Sequence, residues 1–381
     1  MMKIAIKMLM GDRAKYITLV SSIAFVSLLF IQQGGIFCGL IGRTARPVEA
    51  VDAPIWVCDP LMRSVDDAEP MQDTDLYRVR SVPGVKWAVP LIIRIVTARL
   101  ANGQYQSVRL YGLDDATLYG RPAHMLAGDT RDLLENDAVI IGQAESDKLG
   151  SPKIGDSFEI NDTEARVVGI AEAPRDFLSN PFVFTTYSRA LSYLPPDRKT
   201  LLYILAAPKD GVPVQTVIAN IEKTTGLAAY TEDGYRWHTM GYYLKNTGIP
   251  VSIGVSLAMV FVIGTGIAGQ TFYAFALQNE RFFGALKAMG VSGTTLTHMI
   301  LLQSLLVGLI GFGIGGGLAS IFGFAAGPQS KIAFAAPWEL AVIALCAVLI
   351  ICLLASLASI RRITSGGASD RVSSLTRGAT C

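Results

Sequence analysis

The chain has 381 residues, 51% of them hydrophobic, and a net charge of +2; its mean hydropathy is +0.41. That is too apolar for an ordinary soluble domain and too mixed for an all-membrane bundle. The near-neutral total hides a segregation: residues 41–250 carry 22 Lys+Arg against 27 Asp+Glu, and the remainder 11 against 4.

Four stretches, 16–42, 246–279, 288–330 and 340–360, contain no Asp, Glu, Lys or Arg. About 20 apolar helical residues cross a bilayer core of ~30 Å, so each predicts a membrane helix. The expected fold is an α-helical membrane domain of four transmembrane helices in a 1+3 arrangement. A large mixed α+β extracytoplasmic domain is inserted after the first helix. The division is 1–15 N-terminal segment, 16–40 first helix, 41–250 outer domain and 251–277 second helix. Then come 278–294 loop, 295–322 third helix, 323–338 outer loop, 339–360 fourth helix and 361–381 tail. Basic residues cluster in three places: Lys3, Lys7, Arg13 and Lys15; Arg281 and Lys287; and Arg361, Arg362, Arg371 and Arg377. The positive-inside rule places all three in the cytosol, with both termini. The first helix holds Gln32 and Gln33 and no small-residue cleavage site follows it, so it reads as an anchor.

Within the outer domain, 91–100 and 105–113 predict a hairpin around Ala101-Asn102-Gly103. A strand follows at 138–142, then a short helix at 143–150 closed by Gly150. Two strands meet at Asn161-Asp162, and an amphipathic helix at 213–225 is capped by Gly226. The acidic run Asp66, Asp67, Glu69, Asp73, Asp75 reads as a solvated loop rather than a cation site. His124, His238 and His298 are the only histidines, and no HExxH, CxxC or GxSxG occurs. No hydrolytic, redox or metal chemistry is expected. Cys58 is the one cysteine of the outer domain, and Cys38 ends the first helix; whether they pair is open at this stage.

The loop after the second helix is dense in large apolar side chains. Phe282, Phe283, Leu286 and Met289 share one face at helical spacing, with Glu280, Arg281 and Lys287 beside them. Such a face needs covering. A groove in a protein partner and the lipid headgroups satisfy it equally. The third helix carries two GxxxG pairs, Gly311–Gly315 and Gly313–Gly317, suited to close helix approach within the chain or between copies. Gln270 and Gln303 are expected to bond across helices. No ionisable relay crosses the membrane, and no GxxxxGK[ST] is present to cradle ATP phosphates.

These features together resemble the FtsX/MacB-like permeases of ABC transporters. The run Gly284-Ala285-Leu286-Lys287-Ala288-Met289-Gly290-Val291-Ser292 resembles that family's segment ahead of its third helix. Val82-Pro83-Gly84-Val85, Val108–Asp114 and Val167-Val168-Gly169-Ile170 resemble phrases of the MacB-type periplasmic domain. Ile23-Ala24-Phe25 with Gln32-Gln33-Gly34 is similar to the DevC-like branch. The chain departs from the family pattern at Phe282 and at Gln303, where an acidic residue is usual, and has no proline in 355–362. The resemblance implies a non-catalytic permease subunit in a bacterial inner membrane. It would dimerise, bind no cofactor itself and pair with an ABC ATPase subunit that binds ATP. Glu280, Arg281, Phe282, Phe283, Leu286, Lys287 and Met289 would form the ATPase-coupling loop. It further implies an HlyD-type periplasmic adaptor with an outer-membrane channel, export of a lipidic or hydrophobic substrate, and membrane lipids rather than nucleic acid as surroundings. An FtsX-like mechanotransmitting signalling subunit and an anchored binding protein without an ATPase are the alternatives.

Overall fold

A computed structural model describes residues 13–67, 69–278, 289–326 and 331–377. The chain divides into two compact units, Met1–Gly39 with Gly248–Cys381, and Leu40–Thr247. The first element among the described residues is α1 (Arg13–Thr44), a single helix of 32 residues.

The second unit is the large mixed α+β domain expected from sequence between the first and second membrane helices. After a short α2 (Arg46–Glu49) come β1 (Ile55–Cys58), α3 (Asp73–Arg80), β2 (Val85–Arg99), β3 (Tyr105–Leu113), β4 (Met125–Ala127) and β5 (Ala138–Gly142). These lead to β6 (Ser157–Ile160), β7 (Thr163–Ala171), β8 (Phe182–Thr186), α4 (Tyr187–Ser192), β9 (Tyr203–Pro208), α5 (Val214–Thr225), β10 (Ala228–Thr231) and α6 (Glu232–Asn246). The predicted hairpin is β2–β3, with Ile92 opposite Gly112 and Arg99 opposite Tyr105. At the β6–β7 turn Asn161 and Asp162 both have positive φ, 46° and 63°, as a two-residue hairpin of matching twist requires. Gly226 closes α5 at φ 74°.

Four strands, in the order β10-β1-β9-β2, are antiparallel throughout. With α3 after β1 and α5 after β9 they make a split β-α-β sheet of βαββαβ type. The two helices bury Val79, Val217 and Ile221 against Ile55, Val57 and Ile204. Between β2 and β9 the chain detours to build a second element. The pairings β2–β3, β3–β8, β8–β5, β5–β7, β7–β6 and β6–β2 return to their starting strand. They close a six-stranded barrel, which leaves β2, β3, β5, β6, β7 and β8 no free edge within the ring, with the short β4 added outside it on β7. Its inside is filled from every strand, by Val96, Val108, Val139, Phe158, Val167 and Val183 among others, with Tyr193 and Leu194 beyond α4. The outer face of the barrel shares a third core with the sheet, containing Trp56, Tyr111, Phe182, Phe184, Tyr203 and Tyr235.

The first unit holds α1 together with α7 (Ile249–Gln278), α8 (Gly293–Ala326) and α9 (Trp338–Arg377). Four segments have membrane length and apolarity: Tyr16–Thr44, Ile249–Phe275, Gly293–Ala325 and Trp338–Leu357. Leu19, Ile23 and Val26 of α1 pack with Phe272, Val307, Val348 and Ile351. The last helix continues to Arg377, beyond its segment of membrane length, which ends at Leu357. Past that segment it runs on through Gly366-Gly367.

Candidate functional site

The apolar loop predicted to couple to an ATPase falls largely outside the described residues: Glu280, Arg281, Phe282, Phe283, Leu286 and Lys287 lie in 279–288. Met289 is described and is 72% exposed. It opens a turn in which Gly290 has φ 87°. Ser292 then starts α8, its hydroxyl accepting from the Thr295 N–H at 3.3 Å. An apolar side chain this exposed next to a membrane helix is a contact surface awaiting a cover.

The two GxxxG pairs of α8 separate. A Cβ at Gly311 would lie 2.7 Å from Ile23 Cγ2, and one at Gly315 would lie 2.7 Å from Ser27 Cβ and meet the Ala24 carbonyl. These two glycines let α1 and α8 approach backbone to backbone. Gly313 and Gly317 have nothing within 4 Å. A third such pair, Gly35–Gly39 on α1, escaped the sequence reading. Gly35 sits against the Phe334 ring, and Gly39 against the Ala333–Phe334 backbone. The GxxxG spacing was its signal. Gln303 is buried, whereas Gln270 is exposed.

In the outer domain the structure places a buried charge cluster that sequence reading missed. Arg109, in the middle of β3, donates from Nε and Nη2 to Asp176 Oδ2 at 2.9 and 2.8 Å, and from Nη1 to Asp66 Oδ1 at 2.7 Å. Tyr243 of α6 donates to the other oxygen of Asp66 at 2.7 Å. Asp176 also accepts from the Asn180 N–H at 2.9 Å. Burial works against the Arg109 charge, but Asp66, Tyr111 and Asp176 outweigh it and hold its pKa above the ordinary value. Burial pushes the Asp176 carboxyl up, with Arg109 opposing. Burial and the Asp66 charge raise the Tyr243 hydroxyl, which therefore stays a donor. The signal was an arginine inside the apolar run Val108-Arg109-Leu110-Tyr111, at a position that must be buried and hence paired.

The acidic run is therefore not simply solvated. Asp66 joins this cluster, Asp67 pairs with Arg63 at 2.8 Å, and Asp75 pairs with Arg78 at 2.7 Å. Among the described residues no group of three His, Cys, Asp or Glu side chains is placed to hold a metal ion. Cys38 and Cys58 are both free, and Cys58 is buried in the core between sheet and barrel.

A mixed α+β domain set between a first helix of membrane length and three more defines a multi-pass membrane protein. The MacB-like periplasmic core domain family matches residues 20–224, and the FtsX-like permease C-terminal family matches 254–368. The chain belongs to the MacB/FtsX-type permeases of ABC transporters, as a non-catalytic subunit that works with an ATPase partner. Uncharacterized ABC transporter permease Rv0072 of Mycobacterium tuberculosis is 25% identical over 307 residues, 78% of this chain and 77% of its own length. Uncharacterized ABC transporter permease Rv2563 of the same organism is 26% identical over 306 residues, again 78% and 77%. Among solved structures, the periplasmic region of MacB from Actinobacillus actinomycetemcomitans is 13% identical. It covers 52% of this chain and 96% of its own, with a TM-score of 0.35. The extracellular domain of the noncanonic ABC-type transporter YknZ from Gram-positive bacteria is 14% identical. It covers 47% and 99%, also with a TM-score of 0.35.

Proposed function

We propose that this permease transmits ATP hydrolysis by a separate ATPase subunit to movement of its outer domain, and that this movement drives export of a lipidic or hydrophobic substrate. The observation that carries the reading is the union in one chain of a MacB-like periplasmic core domain with an FtsX-like permease segment. The coupling element is the loop 280–290, with Phe282, Phe283, Leu286 and Met289 seated in the ATPase. Its support is the one-faced spacing of those residues and the exposure of Met289. The three basic segments give the orientation, termini and coupling loop in the cytosol and residues 41–250 outside. Dimerisation, a DevC-like lineage, an HlyD-type adaptor and an outer-membrane channel complete the proposal and rest on resemblance.

Copurification of the ATPase tests it. Phe283→Asp or Leu286→Asp is expected to lose the ATPase or its stimulation; a variant that retains both overturns the coupling assignment. Thiol labelling tests the orientation. Tyr105→Cys, at a position 71% exposed on β3, and Arg281→Cys must react from opposite sides of the membrane. An adaptor in the purified complex supports export, and a periplasmic hydrolase in its place supports signalling.

A further inference from the structure

The chain leaves the outer domain for the last three membrane helices through α6. Only Thr247 and Gly248 separate Asn246, the end of α6, from Ile249, the start of α7. The three backbone steps from Asn246 to Ile249 span at most about 11 Å, so a displacement of the start of α7 beyond that reach must be delivered to α6. The α6 helix is also tied to α2, the helix that follows α1, by an ion pair of 2.6 Å between Arg236 and Glu49.

What α6 grips is the segment Asp59–Asp67. His238 Nε2 lies 3.0 Å from the Met62 carbonyl oxygen. The Thr239 hydroxyl accepts from the Val65 N–H at 3.3 Å. The Arg63 guanidinium sits 5.4 Å above the Tyr242 ring, and Tyr243 donates to Asp66. Residues 238, 239, 242 and 243 lie on one helix face, so the segment is zipped along that face. Asp66 then passes to Arg109 of β3, and Arg109 to Asp176 on the connection from β7 to β8. The Tyr243 ring also lies 5.8 Å from that of Phe177, beside Asp176.

We propose that the segment Asp59–Asp67 is the joint through which α6 moves the barrel, with Tyr243, Asp66 and Arg109 as positioning residues in series. The proposal rests on the permease reading above. Burying charge is an inefficient way to gain stability, since apolar side chains of similar volume serve as well or better. Directional bonds to a guanidinium instead fix one register between the parts that they join. A movement of α6 can then reach the barrel without being absorbed by a sliding apolar contact.

The test uses the full-length permease with its ATPase in lipid nanodiscs, followed by hydrogen exchange without nucleotide and in the vanadate-trapped ATP state. In the parent complex, trapping is expected to change exchange both in α6 and in residues 172–181. In Tyr243→Phe and in Asp66→Asn the change in α6 persists and the change in 172–181 is lost. A bond that merely stabilises would raise exchange in both states and leave the difference intact, which overturns the proposal. A parent that responds in α6 but not in 172–181 overturns the joint alone. A parent that responds in neither overturns the permease reading with it. Tyr243→Phe keeps the ring against Phe177 and loses only the hydroxyl, so it decides the matter if Asp66→Asn fails to fold.

Discussion

Arg109 and Asp176 meet through two hydrogen bonds onto a single carboxylate oxygen, at side-chain exposures of 2% and 1%. The guanidinium keeps its remaining bond to Asp66, so removing Asp176 leaves a buried charge half-paired. Breaking such a pair from one side costs about 3–5 kcal/mol. Asp176→Ala is therefore expected to lower the melting temperature of the outer domain, read by near-UV circular dichroism. Replacing the whole set, Arg109→Met with Asp176→Leu and Asp66→Asn, is expected to recover much of the loss.

Burial, with the Asp59 charge nearby, pushes the Cys58 thiol up to about 12 from an ordinary 9.0. Two outcomes are expected. Maleimide at pH 8 leaves Cys58 unmodified in the folded protein and labels it after denaturation. The folded state also holds the thiol proton more tightly than the unfolded state. Its contribution to stability is thus complete below pH 9 and is lost as pH rises through about 12. Denaturant midpoints across that window should fall less steeply in Cys58→Ala than in the parent.

The separated glycine pairs of α8 make a paired prediction. Gly315→Val drives two methyl groups toward the α1 backbone and is expected to lower the melting temperature of the detergent-solubilised protein. Gly313→Val enters open space and is expected to leave it unchanged. Differential scanning fluorimetry of the two variants checks this; equal losses would contradict the packing described.

Gly112 of β3 faces α4. A Cβ there would lie 2.5 Å from Ala190 Cβ and 3.4 Å from Tyr187 Cα. Overpacking a close contact costs about 1–3 kcal/mol, so Gly112→Val should lower the urea midpoint of the outer domain. Tyr105→Val, at an exposed position of the same strand, should not.

The local chemistry of the outer domain was legible. Asn102-Gly103, Asn161-Asp162, Gly150 and Gly226 mark their turns and helix ends because only a few residue types tolerate positive φ. The four membrane helices were legible for a similar reason, since length and freedom from charge leave little alternative. Closure of the barrel was not. It depends on Arg99 meeting Glu159 and Ala98 meeting Ile160, pairs about sixty residues apart whose local patterns do not name each other. The charge cluster was hidden likewise. Asp66 stands in an acidic run that suits a solvated loop, and its partners lie on β3 and α6. Of the candidate coupling residues only Met289 is among those described, and its neighbours are known by spacing alone.

One pairing has a wider bearing. The chain departs for the barrel just after Leu91 of β2 and comes back at Tyr203 of β9, and these two residues face each other across the sheet. The excursion of more than a hundred residues begins and ends at adjacent points. A shorter connection could bridge them and leave the four-stranded sheet hydrogen-bonded as before. The barrel is in this sense a cassette. Relatives could enlarge, trim or exchange it to suit different cargo or partners while the four-stranded sheet keeps its architecture.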